Sequence, residues 1–286
     1  MSIEQQLKRI SRQAAALQSD AQRGIAQNYD QMTRELSEEI AEVFSRYGDE
    51  PWGELNKYNR SRELKKKIRK IVRGNYAGVS RAIRSGLRGA MSKSFSETIR
   101  VMEREAGRTI RGQLKRETIT DRLQDPVSGV ALNERLQRRR LDVTFRIEEN
   151  IMQGFRRGDS FRDIGARVRD VLGGDKKNAE RIVRTEAHRV QEQGKTLALD
   201  RAHAQGIKMV KRWITAQDDS VRGYPGGKYP DAEARHDLMH GETVKYEEDF
   251  HNPKTGGRGP GPGMMGTAED DINCRCTYVV EIIETT

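Results

Sequence analysis

Seven apolar residues, Val79, Ile83, Leu87, Met91, Phe95, Ile99 and Met102, recur through the most basic stretch of the chain, the first six at strict four-residue spacing. Such spacing lays them on one slowly winding stripe of a helix. The pattern predicts a long helix running to about Arg122, apolar on one side. Arg81, Arg84, Arg88, Arg100, Arg104, Arg108 and Arg111 fall mostly off the stripe. An apolar stripe of that length needs cover. The cover must come from other helices of the chain or from another protein's surface.

Charge narrows the choice. The chain has 286 residues and a net charge of +10. Residues 1–59 carry 7 basic and 10 acidic side chains, whereas residues 60–116 carry 18 and 4. The acidic first stretch is therefore one candidate to cover the basic helix. A segment of net +14 also suits a polyanion, because Lys and Arg that meet phosphates release condensed counterions. Arg62, Lys65, Lys66, Lys67, Arg69, Lys70, Arg73, Arg81, Arg84 and Arg88 are the candidate DNA-contacting residues. Only Tyr76 and Phe95 interleave with them, which argues against single-strand stacking. The alternative is a plain solvated face, or a face for an acidic protein surface.

Hydrophobic content is 34% and charged content also 34%. That leaves a lean core and favours a helix-rich, surface-heavy fold. No apolar run is long enough to span a membrane, and the first residues do not read as a signal peptide. Cys274 and Cys276 are the only cysteines, so a disulfide scaffold is excluded and a reducing compartment is expected. The glycine-rich nucleotide-binding patterns and the Gly-x-Ser-x-Gly elbow are absent.

Leu7, Ile10, Ala14 and Leu17 begin a helical region that breaks at Tyr47–Gly53. A second helical block runs from about Glu54 to Arg73, and Gly74–Gly78 reads as a kink or break. The turn at Gln124–Gly129 marks a boundary near 125, giving a helical, basic region 1–125 and a second region 126–286. Ser160 and Asp163 cap a short helix expected to end at Gly173–Gly174, with another helix from about Lys177 to Ala204 stopped by Gly206. Residues 207–214 and 277–283 read as strands, separated by Gly- and Pro-rich loops. The expected class is α+β: a long helical N-terminal part, then helices packed on a small antiparallel sheet with long loops.

Chemistry-bearing residues cluster late. Arg184-Thr-Glu186 sits within the last helix, followed by Trp213, Asp218-Asp219-Ser-Val-Arg222, His236, His240-Gly241 and Asn273-Cys274-Arg-Cys276. Cys274 and Cys276, two apart, share one face of an extended segment. With His236, His240 or His251 they have the residue types of a Cys2His2 zinc site. The plainer alternative has both cysteines as small buried groups anchoring the last strand, with His236 in a hydrogen-bond network and no cofactor. Asp218 and Asp219 with His236 and His240 also have the ligand types of a metal-dependent nuclease, although no nuclease signature is present. Arg184 and Glu186 are read as an ion pair tying the helix to the Asp219/Arg222 turn, and His188 and His203 as surface residues.

Taken in this order, the Arg-Thr-Glu helix, the Trp strand, D-x-x-V-R, H-x-x-x-x-G, the glycine- and proline-rich loop and the terminal N-C-R-C resemble the phage Mu F-like family of minor head proteins, over about residues 140–283. Other members often carry extra cysteines after the Asp-Ser turn and a His-Pro before Asn-Cys-Arg-Cys. Here those places hold Arg222 and Asp271-Ile272. The resemblance implies a non-enzymatic head morphogenesis protein of a tailed phage, present inside the head and made in the host cytoplasm. The implied partners are the portal protein, the major capsid or scaffold protein, and packaged double-stranded DNA. An adaptor for scaffold or portal without DNA contact is the alternative.

Overall fold

The computed structural model describes residues 2–12, 14–48, 51–127 and 129–285. The side chains of residues 12, 14–17, 58 and 285 lie outside the description. The side chains of Ala14 and Leu17 of the first expected stripe, Asp49 and Glu50 of the expected break, and Ser128 of the expected turn therefore lie outside what the structure describes.

The elements in chain order are α1 (Ile3–Arg12), α2 (Ala14–Tyr47), α3 (Pro51–Asn56), a 3-10 turn (Lys57–Asn59), α4 (Arg60–Ala106), α5 (Arg116–Arg122), α6 (Leu132–Arg157) and α7 (Phe161–Ala204). Then come β1 (Ile207–Ile214), α8 (His236–Met239), β2 (Thr243–Lys245), β3 (Phe250–His251), β4 (Arg258–Gly259), α9 (Ala268–Asp271) and β5 (Thr277–Thr285). The α+β class expected from sequence is the class observed. No helix among the described residues is long and apolar enough to cross a membrane.

Two compact units are present, and the chain passes between them four times. One comprises residues 1–19, 84–132 and 183–286; the other comprises 20–83 and 133–182.

In the second unit α2, the first part of α4, α6 and the first part of α7 share a core. Ile25, Met32, Ile68, Val72, Val79, Ile83, Val143, Ile147 and Val168 are all buried in it. The Val79–Ile83 end of the stripe is thus covered, and the acidic α2 lies against α4. Asn75 donates to Glu35 at 2.9 Å, Lys67 meets Glu39 at 2.9 Å, and Tyr29 stacks edge-on against Tyr76.

The expected break at Gly74–Gly78 does not occur, because α4 is continuous through both glycines. Gly78 serves packing: a methyl group there would fall onto the Asn28 side chain of α2. Gly24 of α2 meets Ala82 in the same way. The expected helix end at Gly173–Gly174 is likewise absent, and α7 runs through it. Neither glycine has positive φ, so the pair weakens the helix without turning it.

The first unit joins α1, the later parts of α4 and α7, and the sheet. β1 is central, antiparallel to β2 on one side and to β5 on the other. Leu7 and Ile10 of α1, Met102 of α4 and Leu199 and Ala202 of α7 bury themselves with Met209, Trp213, Tyr278 and Val280 of the strands. α4 stops at Ala106 rather than continuing towards Arg122. Gly107 takes φ +65°, Arg108 N donates back to Glu103 O, and the Glu103 carboxylate accepts from Ile110 N. Gly206, with φ +89°, ends α7 as expected and feeds β1.

Candidate functional site

The late motifs converge in the first unit. Trp213, the penultimate residue of β1, has its ring fully buried, edge-on to His236 and Phe250 at 5.6 and 5.3 Å between ring centres. The chain then leaves through Asp218–Arg222 and returns in α8, whose first residue is His236. Gly241 adopts φ +87°, which lets its N–H reach Trp213 O at 2.9 Å and closes the loop onto β1.

His236 is held from both sides. Its Nε2–H donates to Asp270 Oδ1 at 2.9 Å, while Nδ1 faces Cys276 Sγ at 3.5 Å and Cys274 Sγ at 3.8 Å. Burial alone would pull the ring pKa down, yet the bonds to Asp270 and Cys274 push it up to about 9. Asp270 is fully buried and also accepts from Asn252 at 2.7 Å, from Thr267 Oγ1 at 2.7 Å and from Thr255. Burial works to raise its pKa, but these donors hold the carboxyl far below the ordinary carboxylate range. Cys274 is pushed up to about 11 by its hydrogen bond to Cys276 and by burial. The same hydrogen bond lowers Cys276.

Asp270 is missing from the residues singled out by sequence, and its neighbour Asp271 enters there only as the residue standing where other family members carry His-Pro. Asp271 accepts from Met265 N at 2.8 Å and Gly266 N at 3.0 Å, closing the loop before α9. A legible signal existed in Thr267-Ala-Glu-Asp270, a capping pattern in which Asp270 N donates to Thr267 Oγ1.

Arg222 reaches across to this loop, donating to Asp270 O at 3.0 Å and to Ile272 O. It thereby ties the D-x-x-V-R turn to the N-C-R-C segment. Asp219, by contrast, is exposed and pairs with neighbours of its own loop, Lys228 at 3.1 Å and Ser220.

His240 does not join the cysteines. α8 ends at Met239 and His240 turns extended, so i, i+4 stacking fails. Its ring meets Thr215 and Gln217 instead. His251, on β3, is also outside the cluster formed by His236, Cys274 and Cys276. The Glu186 carboxylate is gripped by Arg189 at 2.7 and 2.9 Å, one turn along α7, whereas Arg184 is exposed on the rim of a cleft. The nuclease set is not assembled, since Asp218 pairs with Arg275 and Asp219 with Lys228.

His188 is not a surface residue. It is half-buried, interacts with Cys274, and its Nε2 is buried without a hydrogen-bond partner among the described residues. His188 and Cys274 both line a cleft of about 900 Å³. His203, the other histidine of α7, pairs with Glu247 at 2.9 Å.

Of the ten candidate DNA-contacting residues, Arg62, Lys66, Lys67, Arg69, Lys70, Arg73, Arg81 and Arg88 are exposed, and Lys65 and Arg84 are half-buried. Three are already engaged by carboxylates: Lys66 by Glu63, Lys67 by Glu39 and Glu42, and Arg69 bidentately by Glu148. Arg62, Lys70 and Arg73 meet no carboxylate among the described residues. At 100° per residue they fall within about 80° of arc on α4.

Comparison with known proteins adds to this geometry. Residues 145–279 match the family described as phage Mu protein F like protein. The chain is 26% identical over 244 residues to minor head protein GP7 of Bacillus phage SPP1, covering 85% of this chain and 75% of that protein. It is 30% identical over 163 residues to an NAD(+)–arginine ADP-ribosyltransferase, EFV, of Enterococcus faecalis, covering 56% of this chain and 30% of that protein. No solved structure matches.

Proposed function

Because residues 145–279 match the phage Mu protein F like family, we propose that the chain is a minor head morphogenesis protein of a tailed bacteriophage. One observation carries the reading: the likeness to a minor head protein extends over 85% of the chain, well beyond the family region. We read the protein as structural rather than catalytic. The buried contact of His236 with Asp270, and the tie of the half-buried Arg222 to the Asp270 and Ile272 carbonyls, support a folding role for the late motifs. The activity named for the Enterococcus protein belongs to a chain of which this one covers 30%.

The finer proposal is an internal, portal-associated position with non-specific contact to double-stranded DNA. It is supported by the exposed Arg62, Lys70 and Arg73 face of α4. Counterion release there needs no base reading. The second reading is an adaptor for portal or scaffold without DNA contact. It is favoured by Lys66, Lys67 and Arg69, whose charges are already matched by carboxylates of the same unit.

Imaging of purified virions by electron cryomicroscopy tests the position. Density for this chain at the inner face of the portal vertex is expected. Density only on the outer shell, or no copies in the particle, would overturn the assignment. A vertex position combined with no DNA retention at low salt would decide for the adaptor.

A further inference from the structure

The buried trio His236, Cys274 and Cys276 has a geometry that ordinary packing does not require. Their ligand atoms all lie within 4.8 Å of one another. Around a tetrahedral zinc, with Zn–S of about 2.3 Å and Zn–N of about 2.0–2.1 Å, a sulfur and a nitrogen stand about 3.6 Å apart. The two observed Nδ1–sulfur separations are 3.5 and 3.8 Å.

The surroundings point the same way. Metal-bound histidines usually donate their second nitrogen to a carboxylate, which sets the ring's orientation and basicity. His236 does this through Nε2 to Asp270, leaving Nδ1 aimed at both sulfurs. Asp270 is itself fixed by Asn252, Thr255 and Thr267, so a whole supporting shell is built around one ring. Two thiols, with a soft donor preference suited to zinc, are buried beside it.

We propose that His236, Cys274 and Cys276 bind one zinc ion, with His188 of α7 supplying the fourth ligand. His188 interacts with Cys274 and has a buried ring nitrogen with no partner among the described residues. His188 is not among the ligand atoms that lie within 4.8 Å of one another, so the fourth bond requires its side chain to turn inward as the ion enters. Binding releases the two thiol protons, and the Nδ1 proton of His236 where one is held, to solvent; no redox change occurs. The ion would staple α7, α8 and the start of β5 together, in a chain with little apolar material to do so. The proposal stands on these residues alone and is independent of the proposed function.

Full-length protein purified under reducing conditions should retain one zinc per chain. After chelation and Co2+ titration it should show a sulfur-to-cobalt charge-transfer band and the intense visible bands of four-coordinate cobalt. His188→Ala should keep the charge-transfer band but lose at least about tenfold in affinity. Cys276→Ser should weaken the band. A folded wild-type chain without zinc and without a cobalt–sulfur band would overturn the site, whatever the variants do. An unchanged affinity in His188→Ala would overturn the fourth ligand.

Discussion

The phenol of Tyr29 donates a 2.6 Å hydrogen bond to Asp175, and both residues are almost completely buried. Tyr76 adds a 3.0 Å bond to the same carboxylate oxygen, and Arg139 donates to the other at 2.9 Å. Three helices thus meet on one charge carried by α7. Burial, with the carboxylate beside them, drives both phenols far above their ordinary pKa, so they remain donors. Asp175→Ala should destabilise the protein by about 3–5 kcal/mol, because Arg139 loses its counter-charge and two buried phenols lose their acceptor. Urea denaturation at neutral pH measures this. A loss within the surface range of about 0.5 kcal/mol would contradict the assigned role.

The glycines of α4 and α7 should separate by context. Gly78→Ala places a methyl group on Asn28 and should cost about 1–3 kcal/mol. Gly74 and Gly173 have open space where a Cβ would stand. Alanine at either should raise stability by about 0.8–1 kcal/mol through helix propensity. Thermal melts of the three variants check the order. Equal shifts for Gly74→Ala and Gly78→Ala would refute the close approach of α2 and α4.

Within the late motifs, Asp270 and Asp219 should behave oppositely. Asp270→Ala strips the acceptor from His236, Asn252 and two threonines, and a loss of about 3 kcal/mol or more is expected. Asp219→Ala removes only exposed contacts and should stay within about 0.5 kcal/mol. Comparable losses from both variants would show that the D-x-x-V-R turn carries more of the fold than its contacts indicate.

DNA retention should follow the uncommitted cations of α4. Arg62→Ala, Lys70→Ala and Arg73→Ala together should flatten the slope of log affinity against log salt by about 0.9 for each phosphate that is no longer neutralised. Lys67→Ala should change the slope less, since Glu39 and Glu42 already hold that ammonium. Filter binding of a non-specific duplex across a salt series gives the slopes. Identical slopes in the triple variant and the parent would remove DNA from the functions of this face.

Sequence alone determined the features whose causes are local. Ser160 caps α7, its Oγ accepting from Asp163 N at 3.2 Å, and Gly206 ends the same helix. Thr277–Ile283 reads as a strand and lies in β5, and the ladder from Val79 to Met102 belongs to one helix. Each follows from neighbours within one turn or one pleat, and these are legible from residue order. Tertiary structure decided what depends on a distant partner. Gly78 looked like Gly206, but Asn28 stands against it, so it marks a crossing rather than an end. His240 looked like the natural companion of His236, until α8 stopped one residue short and left His188, 48 positions earlier in the chain, beside Cys274. The capping pattern Thr267-Ala-Glu-Asp270 marks only a local role for Asp270; its place as the buried partner of His236 comes from the ring and from the Asn252 and Thr255 side chains that the long loops bring to it. Backbone preferences act over a few residues, whereas burial forces polar atoms to find partners wherever the fold supplies them. Those partners cannot be read from spacing.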